Sequence, residues 1–182
     1  MTMFMYKARD TPIIVIIRRE SKTTLELIVW NTDTDTFTRG QWLKHIISNC
    51  RYFSISPDGS HLAYFYTSLK TPDKWTSHAV ISKLPYFSAS FHTKEHSGMY
   101  DRVSFDLEGN FMHTSSELVK KAPSELIQVP WNKDKLFSGY QEEPFMDSRG
   151  RLITKEAFKI LVDGVVILDT SEDVFHPLPP PF

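Results

Sequence analysis

Short apolar runs separated by polar turns dominate the chain. Ile13-Ile14-Val15-Ile16-Ile17 is a continuous β-branched run of the buried-strand type. Leu25 to Trp30 follows a polar turn, Asn31 to Thr36 is a polar reversal, and Phe37 to Trp42 returns as a short strand. Tyr52 to Ile55 and Leu62 to Tyr66 flank Ser56-Pro57-Asp58-Gly59. Further strands are expected at Trp75 to Ile81, Tyr86 to Phe91 and Glu125 to Trp131. Arg102 to Phe105 and Phe111 to Thr114 flank the turn Asp106 to Asn110, and Phe145-Met146 and Arg151 to Thr154 flank Asp147 to Gly150. Asp163-Gly164 between Lys159 to Val162 and Val165 to Leu168 is a strong two-residue hairpin signal. Helical pattern is thin, confined to Gly40 to Asn49 and Ser115 to Lys121.

The turns carry the organisation. Pro57 fixes φ for the first central turn position, and Gly59 accepts positive φ. Gly59, Gly109 and Gly150 lie 50 and 41 residues apart. Trp30-Asn31 and Trp131-Asn132 each end a strand, 101 residues apart. Four units, roughly 1–47, 48–97, 98–141 and 142–182, fill the chain, and a four-stranded propeller blade takes ~40–45 residues. The expected fold is all-β and mainly antiparallel: a single domain built as a small propeller-like array of about four blades, with an open β-stack or sandwich as the alternative.

The segment Ile55-Ser56-Pro57-Asp58-Gly59-Ser60-His61-Leu62-Ala63-Tyr64 resembles the inner hairpin of WD-repeat and TolB-like β-propeller blades. The turns at Gly109 and Gly150 keep its form without the proline, and the Gly-His and Trp-Asp dipeptides of true WD repeats are missing. Gly40-Gln41-Trp42, Ser56 to Gly59, Tyr64-Phe65, Trp75-Thr76 and Ile81 to Phe87 are together similar to a family of small uncharacterised bacterial proteins, over roughly residues 25 to 95. The first resemblance implies a propeller; the second implies no activity.

Composition adds constraints. Aromatics reach 13%, which suits packed strands better than a helical bundle. A net charge of -1 argues against a generally basic, nucleic-acid-binding surface. The single Cys50 rules out an internal disulfide and a Cys-built metal site, and points to a reducing compartment. No apolar run approaches membrane-spanning length, so the expected location is the cytoplasm, with no membrane partner.

Candidate chemistry is weighed residue by residue. His92 and His96 have ligand spacing but sit in a strand pattern without a zincin Glu. His61, His78 and His113 are candidates to line one strand face. Asn31, Asp33 and Asp35 alternate like a calcium loop, yet Thr36 and Trp42 stand where Gly and Glu belong. Cys50 beside Arg51 reads as a small core residue more readily than as a nucleophile. Asp101, Asp106, Asp147 and Asp163 pair at no diagnostic spacing. No catalytic residue, metal site or cofactor is assigned. Trp42, Trp75, Tyr86, Tyr100 and Trp131, near strand ends with basic neighbours, are the candidate partner-binding residues. The leading expectation is a non-enzymatic protein-interaction module of the bacterial immunity or adaptor kind. The alternatives are a small hydrolase or lyase with a His/carboxylate pocket, and a carbohydrate- or nucleotide-binding propeller.

Overall fold

The computed structural model describes residues 2–68, 76–95, 103–113, 128–130 and 132–173. Sheet I contains β1 (Thr2–Lys7), β2 (Ile13–Ser21), β3 (Thr24–Asn31) and β4 (Thr36–Lys44) in spatial sequence. Sheet II contains β5 (Ile46–Ile47), β6 (Ser54–Ile55), β7 (His61–Ser68), β8 (Thr76–Lys83) and β9 (Ala89–Glu95), with β5 and β6 both pairing with β7. Sheet III contains β10 (Val103–Asp106), β11 (Phe111–His113), β12 (Gln128–Pro130) and β13 (Leu136–Phe137) in the order β12-β11-β10-β13. β14 (Tyr140–Gln141) returns to pair with β1 of sheet I. Sheet IV is β15 (Phe145–Met146), β16 (Leu152–Glu156), β17 (Lys159–Val162) and β18 (Val165–Asp169). The protein is therefore all-β, in four separate sheets, and every described strand pair is antiparallel except β11 with β12.

The apolar run in β2 explains the layering. Its residues alternate between the two faces of sheet I. Val15 and Ile17, with Leu25 and Leu27, pack against Ile55, Leu62, Tyr64 and Val80 of sheet II. Ile14 and Ile16, with Ile28 and Trp30, pack against Ile153, Ile160 and Val162 of sheet IV. The second face of sheet II places Ala63, Ala79 and Ile81 against Val103, Phe105 and Phe111 of sheet III. The sheets thus stack in the order IV, I, II, III. Each fully buried Ile or Val contributes ~1.5–3 kcal/mol from its area alone.

One short segment stitches three of these sheets together. β13 pairs with β10, the Ile55 N–H donates to Ser138 O at 3.1 Å, and the Lys7 N–H donates to Gly139 O at 2.7 Å before β14 joins β1. Gly139 has φ +71°, and a Cβ there would lie 2.5 Å from Ile55 Cγ2 and 2.7 Å from Lys7 O.

The helical pattern at Gly40 to Asn49 does not form a helix. It holds the end of β4, β5 and the entry to a 3-10 turn over Cys50–Tyr52. Cross-strand pairing with β3 overrides local propensity here, and the Gln41 N–H donates out of the strand to Pro85 O at 3.0 Å. The Gln41 side-chain oxygen accepts from the N–H groups of Phe87 and Ser88, both at 2.8 Å. That clamp explains why the strand expected from Tyr86 begins only at Ala89. Ser115 to Lys121 lies outside the described residues. Asp163 and Gly164 both take positive φ, 49° and 81°, the geometry of a type I′ hairpin turn. No helix among the described residues is long and apolar enough to cross a membrane.

Candidate functional site

The hairpin turns share a backbone pattern and gather at one end of the stack. The N–H of the residue before each turn donates across it: Ser56 to His61 O at 2.9 Å, Asp106 to Asn110 O at 2.9 Å, and Asp147 to Arg151 O at 3.1 Å. Gly59, Gly109 and Gly150 each donate back to that residue's carbonyl. The turn between β1 and β2 closes similarly, with the Ala8 N–H on Ile13 O at 2.9 Å.

Three turns, from sheets I, II and III, are in direct contact. The N–H groups of Arg9 and Asp10 both donate to Pro57 O, and Thr11 Oγ1 donates to Asp58 O. The Arg9 guanidinium donates to Leu107 O at 2.6 Å. A Cβ on Gly59 would lie 2.8 Å from Thr11 Oγ1, so the glycine serves both positive φ and the close approach of the first turn. A fourth turn joins the same end. Thr32 donates from its N–H to Pro12 O, and Arg151 ties Thr32 O, Asp35 and Asp147 together.

Between the first three turns lies a cleft of about 260 Å³ whose lining includes Asp10, Ser56, Asp58, Ser60, His61 and Glu108. A second, more open recess of about 320 Å³ adjoins it across Ser60, lined by Val29, Leu84, Pro85 and Lys83 among others.

The proton inventory of the cleft is informative. Ser56 Oγ lies 2.5 Å from Asp58 Oδ1, and Ser60 Oγ lies 2.8 and 2.7 Å from the two Asp58 oxygens. Ser60 Oγ is also 2.7 Å from His61 Nδ1. Burial opposes ionisation of Asp58, but the donations from Ser56 and Ser60 outweigh it and hold the carboxyl below its usual range. An ionised carboxylate only accepts, so both serine hydroxyls donate to it. His61 Nδ1 must then carry the proton donated to Ser60 Oγ. That is the reverse of a nucleophile arrangement, in which the serine hydroxyl donates to the imidazole. Asp10 also sits below its ordinary value, first through its hydrogen bond to Arg9.

A second polar cluster lies on sheet I. Arg18 and Glu26 are cross-strand partners, as are Glu26 and Trp42. Arg18 donates to Glu26 Oε2 at 2.9 Å, and its Cζ lies 5.4 Å from the Trp42 ring centroid. Arg39 meets Glu26 Oε1 at 3.1 Å and also ion-pairs with Asp173.

Of the candidate partner-binding residues, Trp42 is half-buried under the Arg18 guanidinium and Tyr86 is half-buried in the loop clamped by Gln41. Trp75, Tyr100 and Trp131 lie outside the described residues, as do His96 and Asp101. His92 falls in β9. The histidine face does not assemble. His61 opens β7, His78 pairs five residues further along with Tyr66 and so on the opposite face, and His113 belongs to sheet III. Asn31 spends its side-chain oxygen on the N–H groups of Asp33 and Thr34, and Asp35 is held by Arg151 and Arg149. Cys50 is fully buried, and burial pushes its thiol up to about 11. Asp106 and Asp147 cap their own turns through their carboxylates. Among the described residues, no three or more His, Cys, Asp or Glu side chains are placed to hold a metal ion.

Asp10, Ser60, His61 and Glu108 were not singled out as a group by sequence reasoning. The available signal was positional: each flanks or occupies a turn of the recurring hairpin type. No protein-family model, curated protein or solved structure matches this chain.

Proposed function

We propose that this chain is a non-enzymatic protein-interaction module that engages a basic segment of a protein partner at the turn-bearing end of its sheet stack. The observation that carries the reading is the cleft between three contacting turns, with Asp10, Asp58 and Glu108 on its lining and Arg9 paired with Asp10 beside it. A Lys or Arg side chain fits this electrostatic environment. The adjoining recess at Val29, Leu84 and Pro85 suits an apolar residue next to it. In this reading the four sheets are blades of a small propeller-like array, and the module acts in the cytoplasm as an immunity or adaptor protein. The test is an array of 12-residue peptides probed with the wild-type protein and with Glu108→Lys. Capture should depend on Lys or Arg next to an apolar residue, weaken with salt and fall in the variant. Capture indifferent to peptide charge would refute the proposal.

A second reading, a small hydrolase, is favoured by the approach of Ser60 Oγ to His61 Nδ1. The donor order described above argues against it. Covalent labelling of Ser60 by a fluorophosphonate would reverse the preference between the two readings.

A further inference from the structure

We propose that the partner segment received at the cleft also carries an acidic residue, about two or three positions from its basic one, whose carboxylate is bound by Lys83. This partner chemistry rests on the function proposed above and extends it from one charge to two of opposite sign.

Strand order in sheet II sets the two charges apart. β7 pairs with β6 along one edge and with β8 along the other. The acidic lining gathers on the β6 side, where the N–H groups of Arg9 and Asp10 donate to Pro57 O and a Cβ on Gly109 would lie 3.9 Å from Pro57 Cδ. Lys83 stands on the β8 side, directly opposite His61 of β7. Neighbouring strands are ~4.8 Å apart, so the two sides are about 10 Å from each other, which about three residues of extended peptide span. Between them, Ser60 lines both the cleft and the adjoining recess, and the recess lining includes Lys83 with Val29, Leu84 and Pro85. Backbone bonds fix the recess wall: the Leu84 N–H donates to Ser60 O at 3.0 Å, the Tyr86 N–H to Lys83 O at 2.9 Å, and the Gln41 N–H to Pro85 O at 3.0 Å.

The charges available to a ligand are of both signs. Asp10 already gives its two oxygens to Arg9, at 2.7 and 2.9 Å, and Asp58 accepts from Ser56 and Ser60. Glu108 and Lys83 are exposed, and neither side chain has a hydrogen bond or ion pair among the described residues. An uncommitted carboxylate on the cleft and an uncommitted ammonium on the recess, with apolar surface beside it, complement a segment that is basic, then apolar, then acidic. A wholly basic segment would instead bring a second cation against Lys83, so Lys83 also selects against it.

The test uses peptides carrying Lys-Leu-Glu or Lys-Leu-Ala-Glu, each also in reversed order, and matched peptides with Gln in place of either the Glu or the Lys. Affinities for the full-length wild type, Lys83→Ala and Lys83→Glu are read by fluorescence anisotropy, and an unchanged urea midpoint checks that the variants fold. In at least one spacing and direction the Glu peptide should bind wild type about two- to five-fold tighter than its Gln counterpart, the range an exposed ion pair supplies. Lys83→Ala should bind the two equally, and Lys83→Glu should reverse the preference. Equal binding of the Glu and Gln peptides by wild type, with the peptide Lys still required, would overturn the role of Lys83 and leave the basic-segment reading standing. A Glu preference that survives in Lys83→Ala would do the same. Binding that does not need the peptide Lys would overturn both.

Discussion

Substituting Gly139 by alanine tests how the sheets are held together. Gly139 has φ +71°, and the left-handed region costs a residue with a Cβ about 1–2 kcal/mol. The new Cβ would also stand 2.5 Å from Ile55 Cγ2 and 2.7 Å from Lys7 O. Relief requires the segment to move away from β1, yet the Lys7 N–H donates to the Gly139 carbonyl at 2.7 Å and the next residues pair with β1. Overpacking of this kind costs about 1–3 kcal/mol, so the total is ~2–5 kcal/mol. For a chain of this length that corresponds to a melting temperature lower by roughly 5–15 °C. Gly164→Ala and Gly150→Ala are the controls. Both sites have positive φ, but neither has an atom within 4 Å of the added Cβ, so only the backbone cost of ~1–2 kcal/mol remains. Urea denaturation and calorimetry of the three variants separate steric clash from backbone strain. If Gly139→Ala is no more destabilising than Gly164→Ala, the stitching role assigned to residues 136–141 is wrong.

Arg151→Ala should cost about 2–3 kcal/mol in urea denaturation, because it strips Asp147 of its cation and leaves the turn at Asp35 to Arg149 alone. Arg151→Lys should recover only part of this, since a single ammonium cannot reach Asp35, Asp147 and Thr32 O together. Stability should fall as the pH drops below about 4. The carboxyls of Asp35 (chiefly through its hydrogen bond to Arg151), Asp58 and Asp147 (where hydrogen bonds outweigh burial) are held below their ordinary values, so the stability they contribute is present above that range and is lost as pH falls through their folded values. Glu26 works in the opposite sense, because burial raises it above its ordinary value despite both arginines and acidification relieves that penalty first. Asp147→Asn should flatten the acid limb of the urea midpoint plotted from pH 7 to 3, and an unchanged limb would refute the assignment. Cys50 should resist a thiol reagent at pH 8 in the folded protein and react at the rate of global unfolding, since its thiol is fully buried and pushed up to about 11.

Much of the fold was legible because its signals are local. The β-branched run of β2, the Asp163-Gly164 hairpin and the glycines of the three recurring turns each stand in the structure as strand or turn, with positive φ at all four glycines. What could not be read depended on distant partners. Gly40 looked compatible with a helix, yet a Cβ there would fall 2.3 Å from Pro85 O, a contact made by a loop 45 residues away. Gly139 gave no sign that it touches Lys7 and Ile55. The stacking order was implicit in the alternation of β2, since a strand buried on both faces needs a sheet on each side, but which sheets supply them was not. The candidate site followed the same division. Ser56 to Gly59 was visible as a turn, whereas the neighbours that make a cleft of it, Asp10 and Glu108, come from turns about 50 residues away on either side.

The stack also limits where sheets I and II can present a recognition surface. Both faces of sheet I are consumed by packing, and sheet II is buried on one face against sheet I and on the other against sheet III. Their strand faces offer little for a partner to touch, which leaves edges and turns. At the turns, the same residue types that close a hairpin, Asp and Ser, also leave carboxylates and hydroxyls facing one another across a narrow gap. Whether such a gap does chemistry depends on which group receives the serine proton. Asp58 takes the hydroxyl hydrogens of both Ser56 and Ser60, so neither oxygen is poised as a nucleophile, and His61 is committed as a donor to Ser60. A network that satisfies its own donors in this way stabilises a turn and fixes the position of a negative charge. That is the requirement for receiving a cationic side chain, and it differs from the requirement for cleaving a bond.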